Sequence, residues 1–357
     1  MKYLTIIVLI FSVLGAADKI FGNRLGIGAE FERAFTLLGA MALSMIGMIV
    51  ISPFIADIAE PVSGFFTDIL HIDASVVPAS LFANDMGGAS LAAEMCVNKS
   101  LGLYNALVVS SMMGCTMSFT IPFALGVVHK SMHKELMTGL LCGIVTIPIG
   151  CIISGLFCRI PLIDLILNLI PLVIFSALIA LGLILVPEFS IKVFKVFGVF
   201  ISGIITLGLS LGIVKFLVGF EPIKGLASIE EGFAICLNAV IVLSGSFPFI
   251  YILSKLLHRP LKAIGTRIGV NEASVIGLVS SLASSANAFG MMERMDKKGI
   301  VINSAFAVSG AFVLGSHLAF TLAFDSSYVF AVVAGKIISG ISAVILANVI
   351  CKRQNAV

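Results

Sequence analysis

Apolar runs follow one another along the whole chain, at about 3–17, 34–56, 74–95, 103–128, 136–158, 160–187, 196–219, 232–254, 270–292, 300–324 and 328–351. Each approaches the ~20 residues that an α-helix needs to cross ~30 Å of hydrocarbon, the first run being the shortest. None alternates apolar and polar residues as a barrel strand does, and lipid offers no water to satisfy open sheet edges. The pattern predicts an all-α, polytopic helix bundle with 9 to 11 membrane segments, forming one transmembrane domain over residues 1–357.

Two runs have polar, small middles: Asn84-Asp85-Met86-Gly87-Gly88 in the third and Ser284-Ser285-Ala286-Asn287 in the ninth. Such stretches unwind a helix and are tolerated at membrane depth only where they line a cavity, so segments 3 and 9 are expected to be broken or re-entrant. The two halves also look related at a shift of about 199 residues, and an internal repeat is the usual construction of a secondary transporter. Glu32 falls on Glu231, Glu60-Pro61 on Arg259-Pro260, and Asp73-Ala74-Ser75-Val76 on Glu272-Ala273-Ser274-Val275. The first repeat covers about 3–158 and the second about 196–351, with a linking helix at about 160–187.

Charge orients the halves. If all eleven runs cross, the Lys and Arg residues outside them divide 12 to 9. If segments 3 and 9 instead enter and leave by one face, the split becomes 16 to 5, with only Lys2, Lys99, Arg159, Lys215 and Lys224 on the minority side. The preference for basic residues in cytoplasmic loops favours the second arrangement. The chain then crosses five times between equivalent points, an odd number, so the repeats are inverted.

Composition sharpens this reading. The chain is 59% hydrophobic and 11% charged, against about 25% charge in soluble domains, and its mean hydropathy is +1.16. A water-soluble protein is excluded, and the net charge of +3, spread over short loops, describes no nucleic-acid surface. Glycines such as Gly39, Gly47, Gly139, Gly143, Gly150, Gly155, Gly335 and Gly340 lie inside the apolar runs, where small residues let helices approach closely. The seven cysteines form no CxxC pair and lie in or beside apolar runs, as inert packing residues do. There is no P-loop, nucleophile motif or metal-ligand spacing, so neither enzymatic chemistry nor a cofactor is expected.

Asp85 is the sharpest signal, because a lone carboxylate deep in an apolar segment costs several kcal/mol unless it meets a cavity or a partner. It reads as a counter-ion for a cationic solute or a proton carrier, or else as half of a salt bridge or a helix-breaking cap. Asn84, Gly87 and Gly88 share its turn, and Ser284, Ser285 and Asn287 fall roughly opposite in the repeat alignment. Lys336 lies inside the last run and either snorkels or pairs with an acid, Asp325 or Asp85. Glu94 reads as an interfacial charge or a charge partner. His317 suits a solute hydrogen bond or proton shuttling, or else a satisfied core role. Thr116, near Pro122, is a binding hydroxyl or a partner for backbone groups that proline frees.

At Asn84-Asp85-Met86-Gly87-Gly88 the chain resembles the EutH family of ethanolamine permeases. The likeness runs through Ser111-Met112-Met113-Gly114, Ile121 to Gly126, Gly143 to Cys151, Phe289-Gly290-Met291-Met292, Ala305 to Ser309 and Gly335-Lys336, covering about 30–345. Ser316, just before the histidine, and Ser284-Ser285-Ala286-Asn287 depart from the family's usual residues. The resemblance implies a multi-pass protein of the inner membrane that admits ethanolamine for degradation. Asp85 would then replace part of the ammonium hydration shell, with Asn84, Ser284, Ser285 or Asn287 at the hydroxyl. Coupling to H⁺ or Na⁺, an ion-coupled carrier of another small solute, a non-transporting membrane sensor and a homo-oligomer all remain open at this level.

Overall fold

The computed structural model describes residues 2–70 and 72–354. The side chains of Lys2, Arg259 and Lys262, which enter the charge count, lie outside the described residues. The described chain is helical with no strand. It begins with α1 (Lys2–Ile20), α2 (Ile27–Thr36) and α3 (Leu38–Gly64), then the short α4 (Val76–Leu81), α5 (Gly88–Met95) and α6 (Lys99–Tyr104). Next come α7 (Ile121–Val127), α8 (His133–Phe157), α9 (Leu162–Leu185), α10 (Pro187–Val218) and α11 (Ile229–Ile268). The chain closes with α12 (Glu272–Ala283), α13 (Ser285–Gly290), α14 (Lys297–Ser309), α15 (Ser316–Phe324) and α16 (Val329–Gln354).

Among the described residues, seven helical stretches are long and apolar enough to cross a membrane: Ile27–Pro61, Lys99–Val127, Lys130–Phe157, Leu162–Leu185, Pro187–Val218, Ile229–Leu253 and Ser326–Arg353. The protein is a multi-pass membrane protein. Segments 3 and 9 are each built from two short helices, α4 with α5 and α12 with α13. The uninterrupted segment expected at 300–324 is corrected: α14 stops at Ser309, residues 310–315 turn, and α15 starts at Ser316.

Local chemistry sets these boundaries. Pro187 takes the first position of α10, where its missing N–H has no acceptor to serve. Gly219 ends that helix at φ +68°, a conformation suited to residues without a Cβ. The Asn98 side chain accepts from the N–H groups of Ser100 and Leu101 and so caps α6. Residues Asn105–Gly114 and Thr116–Thr120 wind as π-helix. Pro122 follows and cannot donate to that ladder, and the Ser111 carbonyl in the first stretch also accepts from Lys336 on the last helix.

Helices α8, α14 and α16 meet through small residues. A Cβ on Gly139 would lie 2.3 Å from the Val301 carbonyl oxygen, and one on Gly150 would lie 2.6 Å from that of Gly335. Ser154 donates to the Ala331 carbonyl at 2.8 Å and Ser339 to that of Thr146 at 3.0 Å, tying α8 to α16. Asn105 and Asn168 exchange amide hydrogen bonds of 3.0 and 2.8 Å, fixing α9 to the π-helix. By contrast, α9 and α10 leave Leu178, Ile184, Val199, Phe200 and Leu217 exposed, as lipid-facing helices do.

Candidate functional site

The site lies where three broken segments meet. After α4 the chain extends through Phe82 and Ala83, makes one tight turn at Asn84–Met86, passes Gly87 at φ +88° and resumes as α5. The Ala83 N–H donates to Ser118 Oγ at 3.0 Å, and the Gly88 N–H returns to the Ala83 carbonyl at 2.8 Å. Glycine is required at Gly114, where a Cβ would stand 1.9 Å from the Phe82 oxygen.

On the other side, α12 ends at Ser284, which is extended, and whose Oγ accepts from the Ala286 N–H at 3.3 Å to start α13. The turn after α14 completes the wall. Its Phe312 and Leu314 N–H groups donate to the Ser281 and Leu282 carbonyls, both at 2.9 Å. A Cβ on Gly315 would lie 2.1 Å from the Ala283 oxygen.

Together these breaks border a cavity of ≈ 440 Å³, within the usual range of about 300–1,000 Å³ for small-molecule pockets. Asp85, Ser284, Asn287, Ser316 and His317, with Arg33 and Ser44, supply its polar wall. Leu37, Met41, Met45, Leu243, Phe247 and Phe312 supply much of the apolar remainder. Asp85 Oδ1 is 3.8 Å from His317 Nε2, too far for a hydrogen bond. Side-chain exposure is 18% for Asp85 and 1% for His317, so the carboxylate opens on the cavity while the imidazole stands behind it. The Ser316 hydroxyl lies against the carboxylate. Phe312 lies over the imidazole, ring centroids 4.9 Å apart, and is itself met edge-on by Phe119.

Behind the cavity wall are polar atoms with no protein partner. Both ends of the Asn84 amide, Ser285 Oγ and His317 Nδ1 are buried without a hydrogen bond. Since an unmade buried hydrogen bond costs about 1–3 kcal/mol, such groups gather where a solute or water serves them.

The structure thus brings Asp85, Ser284, Asn287 and His317 to one cavity, with Asn84 and Ser285 buried beside it and Gly87 and Gly88 shaping the turn. Other residues singled out from the sequence stand apart. Thr116 Oγ1 donates to the Met112 and Val308 carbonyls at 2.7 and 3.0 Å, joining the π-helix to α14. Glu94 is exposed. Asp325 accepts from the Ser327 N–H at 2.9 Å and its hydroxyl at 2.6 Å, capping the turn before α16. Lys336, 1% exposed, donates to the Ser111 carbonyl at 2.6 Å and forms an ion pair with neither Asp85 nor Asp325. Sequence reasoning missed Phe119, Phe312, Phe247 and Arg33 as lining residues, because aromatic rings in apolar runs read as packing and Arg33 as a loop charge.

Comparison with known proteins now adds to the geometry. The family model described as "Ethanolamine utilisation protein, EutH" matches residues 1–350. A protein of Listeria monocytogenes serotype 1/2a (strain 10403S) named "Probable ethanolamine permease EutH" is 41% identical, over 98% of this chain and 95% of its own length. An Escherichia coli (strain K12) protein of the same name is 35% identical, with the same coverage of both chains. A Bacillus subtilis (strain 168) protein, YxeR, is 36% identical over 97% of this chain and 94% of its own. No solved structure matches.

Proposed function

The chain belongs to the EutH family, and we propose that it is an ethanolamine permease that binds the ammonium group at Asp85 and the hydroxyl among Asn84, Ser284, Ser285 and Asn287. The observation that carries this reading is the Asp85 carboxylate, open on a cavity between broken segments and unpaired with Lys336. A primary ammonium loses much of its hydration on leaving water, and a carboxylate open on the cavity replaces part of it. The orphan amide of Asn84 and hydroxyl of Ser285 suit a small amino alcohol, which both donates and accepts.

Alternating access through two inverted repeats, about 3–158 and 196–351 with the linker at 160–187, belongs to the same proposal. Three pairs of contacts at an offset of about 199 residues support it. Asn105 Nδ2 donates to Ser75 Oγ, and Asn303 Nδ2 to the Ser274 carbonyl, each at 2.9 Å. Gly114 abuts the Phe82 oxygen as Gly315 abuts that of Ala283. Gly47 on α3 abuts the Ile205 oxygen on α10, as Gly245 on α11 abuts the Val8 oxygen on α1, so each repeat's opening helix packs on the other repeat. The charge split supports a cytoplasmic position for the end of α2 that carries Arg33.

Uptake of labelled ethanolamine by proteoliposomes tests the reading. Saturable uptake, competed by other small primary amines, is the expected result. Binding without flux would instead make the protein a sensor. Flux that follows an imposed H⁺ or Na⁺ gradient would identify a coupling cation.

A further inference from the structure

Arg33 stands at the partition between two cavities. It lines the ≈ 440 Å³ cavity that holds Asp85 and also a second, of ≈ 140 Å³, that holds Glu30 and Tyr251. Phe247, Ala283 and Asn287 are common to both walls. The Arg33 guanidinium is held by two groups. Its Nη1 is 3.2 Å from Glu30 Oε2, and its carbon lies 5.3 Å from the centre of the Phe247 ring. One turn along α11, the Lys255 ammonium sits 4.3 Å from the centre of the Tyr251 ring. Phe247 and Tyr251, which both line the smaller cavity, therefore each already face a cation.

A carboxylate beside an aromatic face is a cation cradle, and it suits a primary ammonium as well as a guanidinium. The present occupant is weakly held: the ion pair is an i,i+3 contact, and Arg33 and Glu30 side chains are 44% and 23% exposed. A cation moving between the cavities meets Arg33 and is repelled while the guanidinium stays. We propose that Glu30 and Phe247 form a second ammonium subsite on the path to Asp85, and that Arg33 fills it as an exchangeable stand-in for the solute.

Arg33 then acts as a gate that an ammonium opens by taking its place. When the guanidinium leaves, Glu30 and Phe247 hold the entering cation, and the way to Asp85 passes Asn287, which lines both cavities. The nature of the solute rests on the ethanolamine reading, whereas the subsite itself does not.

The test is arginine modification of the purified full-length protein by phenylglyoxal, read peptide by peptide by mass spectrometry, in methylammonium chloride or in sodium chloride at equal ionic strength. Methylammonium is expected to raise the labelling rate of Arg33 at least threefold while leaving exposed Arg24 unchanged. In Glu30→Gln the Arg33 rate is expected to be high from the start and indifferent to methylammonium. Glu30→Gln is further expected to raise the KM for ethanolamine uptake severalfold at similar kcat. Arg33 labelling that ignores methylammonium in the wild type, or responds equally in Glu30→Gln, overturns the subsite. A protein that fails to move ethanolamine but shows the Arg33 response overturns the permease reading and leaves the subsite standing.

Discussion

Gly87 lies against Met48 so closely that a Cβ on residue 87 would fall 1.8 Å from the Met48 Cγ. The contact closes the turn that carries Asp85, on the side of α3, and Gly87 also holds φ +88°. Two independent demands therefore exclude a side chain here: space and backbone conformation. Gly87→Ala should destabilise the protein, with about 1–3 kcal/mol from backbone strain alone, and should lose uptake because Asp85 is displaced. Adding Met48→Gly relieves the collision, leaves the strain and opens a core cavity of its own, so thermal unfolding of the detergent-solubilised double variant should show a loss smaller than the sum of the two single losses. Strictly additive losses would mean that the collision contributes nothing.

The bond from Lys336 to the Ser111 carbonyl yields a second test. Lys336→Met removes the side-chain donor that this buried carbonyl receives from α16, at about 1–3 kcal/mol. Ser111→Ala keeps that carbonyl and removes only a hydroxyl bonded to Val108, so it should be nearly neutral. Melting temperatures should fall for the first variant and hold for the second. Equal losses would refute the assignment.

Outside the membrane spans, Glu221 accepts from Lys215 Nζ at 2.9 Å and from the Leu226 N–H at 3.1 Å, which ties the end of α10 to the loop before α11. The hydrogen bond from Lys215 comes first among the influences that hold the Glu221 carboxyl below its ordinary value of 4.5. A depressed folded-state value means that the stabilisation is fully present above about pH 4.5 and is lost as pH falls through the folded value. Glu221→Gln should therefore melt below wild type at pH 7, and the gap should narrow at pH 3. A gap independent of pH would show that the contact does not depend on charge.

Two of the three breaks at the site are legible in the chain, because Asn84-Asp85-Met86-Gly87-Gly88 and Ser284-Ser285-Ala286-Asn287 interrupt apolar runs with polar and small residues. The third is not. Gly310-Ala311-Phe312-Val313-Leu314-Gly315 reads as ordinary apolar helix, and its turn is set by tertiary bonds to the carbonyls that α12 leaves open at Ser281 and Leu282. The π-helical winding of 105–114 escapes periodicity in the same way, since every side chain there is buried and no face stands out. Polarity alone also pointed to Thr116 and Asp325, whose hydroxyl and carboxylate serve backbone groups nearby. Reading charge as topology hid Arg33, which sits at a helix end and lines the cavity as well.

The decisive variant is Asp85→Asn, because the amide keeps the shape of the side chain and removes its charge. Two accounts of this carboxylate differ in what they expect. If it served a buried salt bridge with Lys336, its loss would strand a cation and cost about 3–5 kcal/mol, seen as poor membrane abundance. The geometry argues otherwise, since Lys336 is bonded to the Ser111 carbonyl, and His317, the nearest basic side chain, stands 3.8 Å from Asp85, beyond hydrogen-bond reach. Asp85→Asn should therefore reach the membrane at wild-type levels and melt within a few degrees of wild type, yet lose saturable ethanolamine uptake. Asp85→Glu should keep partial function at best, because Gly87 and Gly88 hold the turn against Met48 and the Phe82 carbonyl and leave little room for one more methylene. Uptake measured beside membrane abundance for both variants separates the accounts. A well-expressed Asp85→Asn protein that took up protonated ethanolamine like wild type would remove Asp85 as the counter-ion.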